Sequence, residues 1–278
     1  MGASPHAVRT ETRVVAGVET FVRRAGSGRP VLLLHGLGAS SYSWRHAFAH
    51  LADGYEVFAP DFPGHGRSAA VEGFDYSIAG LSRWTLDFMD SCGAERVPFV
   101  GNSLGGVVSL WTAMEAPRRV ERMALVGVPA YPEHRPAAMW PLGWPVFGRL
   151  YENLLGPTLL RAIAKTVFVD PATVTDELVD EYSLALRTPG GRRAVAEVIR
   201  RAIPPDAAAR MARYRELTQP ALVLVGEHDR MVKESGARRL AGDLGAARLE
   251  LVAGVGHAPH EDDPALVMPL VRRFLDGG

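Results

Sequence analysis

The sequence predicts an α/β fold in which a doubly wound, mainly parallel β-sheet carries helices on both faces and is interrupted by one helical insertion. Short apolar runs typical of buried strands alternate with helical patterns along the 278 residues. One run ends in a turn bracketed by Gly101 and Gly105 and passes directly into a helix. Between Val126 and Ala221 the sequence is helical and Pro-rich over about 80–90 residues, which is too long for an ordinary loop.

The composition narrows the class of protein. Its length fits one large α/β domain, or one such domain with an inserted subdomain. The 31 basic and 31 acidic residues cancel, so no nucleic-acid partner is expected. No apolar run reaches the roughly 18 residues that span a bilayer, which argues against membrane insertion. Because Cys92 is the single cysteine and residues 1–6 lack the pattern of a secretory signal, we expect a cytoplasmic protein; its oligomeric state stays open.

Six apolar runs are predicted to be strands. The runs are residues 31–34, 57–59, 98–100, 123–126, 221–225 and 249–252. The first of them has no polar interruption, which indicates a strand that is covered on both faces. A helix is predicted over 77–92 and ends before Gly93, and another begins at Asp263 and Pro264, where Pro269 should kink or shorten it.

The interval that breaks this alternation is interpreted as a helical cap inserted into the sheet domain. It contains helical patterns at 150–168, 176–186 and 191–202. The predicted organisation is therefore a first part of the core at residues 1–129, the cap at 130–216 and a second part of the core at 217–278.

Ser103, at the tight turn from strand to helix, is the candidate nucleophile. Such a turn presents the hydroxyl outward from strained backbone, and glycines at 101 and 105 avoid collisions with the neighbouring elements. The N-terminus of the following helix points N–H groups at negative charge that develops beside the serine. Two nucleotide-binding interpretations fail, because a dinucleotide fingerprint needs glycine in place of Ser103 and a P-loop needs lysine in place of Val107.

A nucleophilic serine requires a base and an acid that orients the base. On doubly wound sheets the acid and then the histidine follow the serine along the chain, each after a strand. His257 lies in a Gly-rich loop after the last predicted strand and is favoured over His260, which is interpreted as a surface or helix-start residue. Asp229 follows the preceding strand and is favoured over Glu227, which stays closer to the strand end.

The oxyanion donors are expected to be two backbone N–H groups. One belongs to Leu104, directly after the nucleophile, and the other to Leu37, in the loop after the strand at 31–34. His35 and His65 are interpreted as buried structural or loop-anchoring residues. No group of histidines and carboxylates has metal-ligand spacing, so neither a metal nor another cofactor is expected.

Together these motifs resemble the α/β-hydrolase fold superfamily, in the branch of serine hydrolases that carry a helical cap. The resemblance covers nearly the whole chain outside the cap and implies an eight-stranded, mostly parallel sheet. It rests on His35-Gly36-Leu37-Gly38, Asp61-Phe62-Pro63-Gly64-His65-Gly66-Arg67-Ser68, Gly101-Asn102-Ser103-Leu104-Gly105-Gly106, Gly226-Glu227-His228-Asp229-Arg230 and Gly256-His257-Ala258-Pro259-His260. Such motifs are more specific for the fold than for the reaction.

Ser103 separates this chain from several branches of the superfamily. Haloalkane dehalogenases and epoxide hydrolases use Asp at this turn, and dienelactone hydrolases use Cys. The Gly-Asn-Ser-Leu-Gly-Gly turn resembles that of meta-cleavage-product hydrolases, which break a C–C bond in ring-fission products. Those enzymes tend to have a Gly-rich oxyanion loop and a Trp after the histidine, where this chain has Leu37-Gly38-Ala39 and Ala258. Esterases, enol-lactonases and cofactor-free perhydrolases share the remaining pattern.

The residues and the resemblance together predict a cofactor-independent, carboxylesterase-like serine hydrolase that acts on a small ester or lactone with an apolar part. Trp140, Trp144 and Phe147 belong to a large apolar set in the cap and are expected to line the substrate pocket together with Asn102. Much of that set must also bury the underside of the cap itself. Two alternatives stay open: a C–C hydrolase of vinylogous diketone acids, and a ligand-binding or non-hydrolytic tailoring protein on the same fold.

Overall fold

The computed structural model describes residues 7–131, 152 and 154–278, and these residues form one eight-stranded sheet. In chain order the strands are β1 (Arg9–Val15), β2 (Val18–Ala25), β3 (Arg29–Leu34), β4 (Tyr55–Pro60), β5 (Val97–Asn102), β6 (Val120–Val126), β7 (Ala221–Gly226) and β8 (Ala247–Val252). Across the sheet they lie in the order β1-β2-β4-β3-β5-β6-β7-β8. Strand β2 pairs antiparallel with β1 and β4, and the other neighbours pair in parallel. The predicted fold class is confirmed.

Helices pack on both faces of this sheet. In chain order the helices of the described residues, including those of the chain between β6 and β7, are α1 (Ala47–Leu51), α2 (Ile78–Ser91), α3 (Leu104–Glu115), α4 (Pro157–Val167), α5 (Asp176–Ser183), α6 (Pro189–Arg201), α7 (Ala207–Ala212), α8 (Glu234–Asp243), α9 (Pro259–Asp262) and α10 (Pro264–Leu275). Short 3-10 turns lie at Ser41–Trp44, Pro171–Thr173, Ala185–Arg187 and Arg213–Glu216. Among the residues described, no helix is long and apolar enough to cross a membrane.

The last helix shows which of the two effects expected of Pro269 does not occur. It begins as predicted, because the Asp263 side chain caps it by accepting from the Leu266 amide. Pro269 does not shorten it, since α10 continues to Leu275. The buried side chains of Val267 and Val271 on either side of the proline hold the helix against the sheet. This tertiary packing outweighs the loss of one backbone hydrogen bond.

Strands β1 and β2 were not predicted from the apolar runs of the sequence. Their exposed faces are mostly polar, so they lack a continuous apolar run. They are joined by a two-residue turn, Ala16 and Gly17, in which both residues have positive φ (49° and 80°). This is the geometry of a tight β-hairpin turn, in which the glycine tolerates the left-handed backbone without strain.

The inner parallel strands β3, β5 and β7 are largely buried on both faces, whereas the edge strand β8 exposes Leu251. Successive side chains of a strand point to opposite faces. In β3, Leu32 and Leu34 join the core cluster on one face, whereas Val31 and Leu33 join the cluster on the other. All four are 3% exposed or less. The sheet is therefore the rigid centre from which the functional loops project.

The chain between β6 and β7, here named the insertion, contributes no strand among its described residues and contains α4, α5, α6 and α7. The strands that it separates pair directly, with Val126 opposite Leu224. The boundaries at 130 and 216 stay predictions. The predicted pocket residues Trp140, Trp144 and Phe147 lie outside the described residues.

Candidate active site

Ser103 lies between β5 and α3 in a backbone conformation that is rare for a residue with a side chain. Its φ is 49° and its ψ is −112°, so the turn stores strain. A Cβ at Gly105 would lie 2.1 Å from the Leu34 carbonyl oxygen, and one at Gly101 would lie 2.5 Å from the Gly105 carbonyl oxygen. These approaches explain physically why the turn requires glycine on both sides of the serine.

The side chains of Ser103, His257 and Asp229 form one hydrogen-bonded chain. The His257 Nδ1 lies 2.9 Å and 3.1 Å from the two Asp229 carboxylate oxygens, and its Nε2 lies 3.0 Å from the Ser103 Oγ. Since a carboxylate accepts, Nδ1 carries the proton and Nε2 accepts from the serine hydroxyl. The side chains of His257 and Asp229 are 6% and 0% exposed. This arrangement can remove a proton from a nucleophilic serine.

Main-chain groups hold the acid and the histidine in place. The Asp229 Oδ1 accepts from the amides of Met231 and Val232, both at 2.8 Å. The side-chain Nδ2 of Asn102 donates to the main-chain carbonyl oxygen of His257 at 3.2 Å. Asn102 is buried at 5% exposure, so the structure places this predicted pocket residue at the cavity wall, where its side chain also supports the histidine loop.

Gly127 is a site residue that the sequence interpretation missed. A Cβ at this position would lie 2.7 Å from the His257 carbonyl oxygen, 3.2 Å from its Nδ1 and 3.3 Å from the Asp229 Oδ2. The residue also has a φ of 56°. Its position directly after β6 was the available signal, because loops after neighbouring parallel strands meet at the same edge of the sheet.

The two alternatives to the acid and the base lie in different surroundings. The Glu227 carboxylate accepts from the Gly254 amide at 3.1 Å, and its side chain is 59% exposed. His260 lies in α9, which agrees with a helix-start position, but at 1% exposure it is not a surface residue. Its ring stacks on Trp44 with the centroids 4.1 Å apart. The acidic residues that follow His260 suggested an exposed position. Packing against a distant aromatic ring, which the local sequence does not show, explains why the residue is buried.

Leu37 and Leu104, the predicted oxyanion donors, both border the cavity beside Ser103. Leu104 is the first residue of α3. The loop that contains Leu37 approaches the serine closely, because a Cβ at Gly36 would lie 3.5 Å from the Ser103 Cβ. The structure thus brings both residues to the turn at which an oxyanion would form.

His35 and His65 are buried and bonded to the main chain. The His35 Nε2 accepts from the Phe62 amide at 2.9 Å, and its Nδ1 lies 2.8 Å from the Gly36 carbonyl oxygen. The His65 Nδ1 lies 3.2 Å from the Pro63 carbonyl oxygen. Burial lowers the pKa of His35 to about 4 and that of His65 to about 3. Both rings are therefore neutral supports of the loops behind the site.

A cavity of about 270 Å³ adjoins Ser103 and His257. Side chains from α3, α4 and α6 form much of its wall, and most are aliphatic or aromatic. The lining residues include Trp111, Leu159, Leu160, Ile163, Phe168, Val198, Ile199, Met211 and Tyr214. None of the described residues that line it is Lys or Arg. Such a cavity favours an uncharged apolar group over an anion.

One carboxylate, Glu261, is present among the described lining residues. It is 6% exposed, accepts from the Tyr182 hydroxyl at 2.7 Å and pairs with the Arg45 guanidinium. Burial raises the pKa of Glu261 to about 7. Both of its oxygens are thus occupied by protein donors. Among the described residues, no three His, Cys, Asp or Glu side chains are grouped so that they could hold a metal ion.

Replacing His260 with phenylalanine should make the protein less sensitive to acid while leaving catalysis within a few-fold of wild type. Burial lowers the pKa of His260 to about 3, so the folded protein excludes a proton that the unfolded chain binds below about pH 6.5. The neutral His260 therefore makes its full contribution to the free energy of unfolding above that pH. Below it, this contribution falls by about 1.4 kcal/mol per pH unit. The variant should lack this loss, as urea unfolding at pH 7, 6 and 5 would show.

The turnover of His260→Phe is compared with that of His257→Ala, which should lose activity and is the control for catalysis. Parallel stability curves for wild type and His260→Phe would contradict the neutral state of His260. A large loss of activity in His260→Phe would return this residue to consideration as the base.

The sequence of this chain is similar to those of several known proteins. Residues 29–264 match a family model described as the alpha/beta hydrolase fold. An uncharacterized protein of Mycobacterium tuberculosis is 30% identical over 276 residues, which cover 95% of this chain and 80% of that protein. The 2-hydroxy-6-oxo-2,4-heptadienoate hydrolase of Pseudomonas putida is 28% identical over 271 residues, which cover 94% of each chain.

Among solved structures, a meta-cleavage product hydrolase from Pseudomonas fluorescens IP01 superposes with a TM-score of 0.80 at 25% sequence identity. The superposition covers 96% of this chain and 97% of that chain.

Proposed function

This chain belongs to the α/β-hydrolase fold family, and we propose that it is a serine hydrolase of carboxylic esters or lactones that have an apolar part. One observation carries the proposal: the Asp229–His257–Ser103 chain of hydrogen bonds borders an apolar cavity with no Lys or Arg among its described lining residues. The hydroxyl, its base and the space for an acyl group are thus in one place.

In the proposed reaction, the Ser103 Oγ attacks the carbonyl carbon while the His257 Nε2 accepts its proton. The N–H groups of Leu37 and Leu104 stabilise the negative oxygen of the tetrahedral intermediate. His257 then donates the proton to the departing alkoxide oxygen, which leaves as an alcohol or as the opened hydroxyl of a lactone. Asp229 stabilises the imidazolium throughout.

Water then hydrolyses the acyl-enzyme, and His257 again acts first as the base and then as the acid. The His257 Nε2 accepts a proton from a water molecule as its oxygen attacks the acyl carbon, and the collapse of the second intermediate returns the proton to Ser103. The carboxylic acid leaves and the free serine is restored. Every proton in the cycle is transferred through one imidazole.

The substrate is proposed to be small and uncharged at its acyl end. A cavity of about 270 Å³ lies just below the range of ~300–1,000 Å³ that holds drug-sized ligands. An unpaired carboxylate placed against its apolar wall would lose hydration without gaining a partner, which costs several kcal/mol. This argues against a substrate with a free carboxylate at the acyl end.

C–C hydrolysis of a vinylogous diketone acid is the second candidate, because the Pseudomonas putida relative is named as a hydrolase of such a dienoate. A substrate of this class carries a carboxylate, and a cation would be expected beside it. The described lining residues supply none, so the ester or lactone is favoured.

A matched pair of esters tests the proposal. We expect p-nitrophenyl pentanoate to be hydrolysed with a kcat/KM about 100-fold above that of p-nitrophenyl hemisuccinate, whose acyl group is similar in size but ends in a carboxylate. A lactone and a ring-fission dienoate complete the panel, and Ser103→Ala is the control for each substrate. Turnover of the dienoate alone would overturn the proposal in favour of C–C hydrolysis. Turnover of no substrate would favour a ligand-binding or tailoring protein.

A further inference from the structure

The loop that carries His257 is joined directly to the insertion through the main chain. The His257 amide donates to the Val167 carbonyl oxygen, at the end of α4, at 3.0 Å. The contact is close, because a Cβ at Gly256 would lie 2.5 Å from that same oxygen. The position of His257 thus depends on a segment far away in the sequence.

Asp262, the last residue of α9, ties the same two segments together. Its Oδ2 accepts from the Gly256 amide at 2.7 Å, and its Oδ1 accepts from the Val169 amide at 3.2 Å. The Asp262 carboxylate therefore links Gly256, directly before His257, to Val169 of the insertion. Hydrogen bonds from N–H groups to a charged acceptor are stronger than those between neutral groups.

The neighbouring residue Glu261 reinforces this joint from the other side of α9. Its carboxylate accepts from the hydroxyl of Tyr182, in α5 of the insertion, and pairs with Arg45 of the core. The short helix after His257 is thereby held to the insertion at two points, Asp262 and Glu261. Of these, only Asp262 also bonds the loop that carries the histidine.

We propose that Asp262 is a positioning residue, which holds His257 in line with Ser103 by bonding the histidine loop to residues 167–169 of the insertion. The inference rests on the proposed function, in which the His257 Nε2 takes the serine proton. The 3.0 Å separation of Nε2 and Oγ depends on where that loop lies. A displacement of about 1 Å in such a pair can reduce the rate about 10²-fold.

Replacing Asp262 with alanine tests this role. We expect kcat for p-nitrophenyl pentanoate to fall about 10- to 100-fold with KM within about 3-fold of wild type, because the Asp262 side chain is not itself part of the cavity lining. The rate at which a fluorophosphonate probe labels Ser103 should fall by a similar factor, since labelling also requires the base. Amide hydrogen exchange at Gly256, His257 and Val169 should become faster.

Asp263→Ala is the matched control. It removes an adjacent carboxylate that caps α10 through the Leu266 amide at 2.9 Å but bonds neither Gly256 nor Val169. We expect its kcat to stay within about 2-fold of wild type. Asp262→Asn keeps one acceptor oxygen and should recover part of the lost rate; it also carries the comparison if the alanine variant does not fold.

Equal activities of Asp262→Ala and Asp263→Ala would overturn the proposal. So would a loss of turnover with an unchanged labelling rate at Ser103, because the role would then lie outside the proton relay. A wild-type chain that is neither labelled nor active on esters would overturn the proposed function instead. The exchange measurement would then still decide whether Asp262 holds the His257 loop.

Discussion

Replacing Ser103 with alanine should lower kcat/KM for p-nitrophenyl pentanoate by about 10³-fold or more, because the variant has no oxygen to attack the carbonyl. The removed hydroxyl is the one that lies 3.0 Å from the His257 Nε2. Initial rates at saturating and subsaturating ester would measure the loss, and near-ultraviolet circular dichroism would show that the fold is retained.

His257→Ala should produce a similar loss, and the double variant should lose little more than either single variant. The serine and the histidine act as one unit, so removing either already disables both. Losses that add in free energy would show that the two residues work independently. In that case the pairing of nucleophile and base would be wrong.

Asp229→Asn is expected to lower kcat by about 10³- to 10⁴-fold while the protein stays folded. The amide of asparagine can donate to the His257 Nδ1, which leaves the proton on Nε2, where it blocks acceptance from Ser103. The contacts of Oδ1 with the amides of Met231 and Val232 can persist through the asparagine oxygen. Steady-state rates and a urea unfolding curve would separate loss of catalysis from loss of stability.

Glu227→Gln is the matched control for this substitution, since it makes the same chemical change two residues away. The Glu227 side chain is 59% exposed and bonds a loop amide, so its neutralisation should change kcat by less than about 3-fold. A larger loss in Glu227→Gln than in Asp229→Asn would assign the acid to Glu227.

The three residues of the proposed relay could be predicted from sequence because each follows a recognisable element of the sheet. Ser103 follows β5, Asp229 follows β7 and His257 follows β8. Parallel strands bring their carboxyl ends to one edge, so side chains far apart along the chain are carried to the same place. The glycine pattern at the turn added the identity of the nucleophile.

Other features depended on contacts that no local pattern records. The β1–β2 hairpin has mostly polar exposed faces, His260 is buried against Trp44, and Asp262 bonds a segment of the insertion. Each of these depends on which distant residue packs against it. Tertiary contacts of this kind override local preference, and sequence periodicity does not report them.

The direct pairing of β6 with β7 has a consequence for how such a protein can diverge. The insertion leaves the sheet and returns to it at adjacent strands, with Val126 opposite Leu224. Its length and sequence can therefore change without shifting the register of any strand. The bonds that it makes at Val167 and Val169 come from main-chain atoms, so many side chains are compatible with them. Mutation or engineered exchange of the residues between β6 and β7 can thus change which substrate is accepted while the proposed relay of Ser103, His257 and Asp229 stays the same.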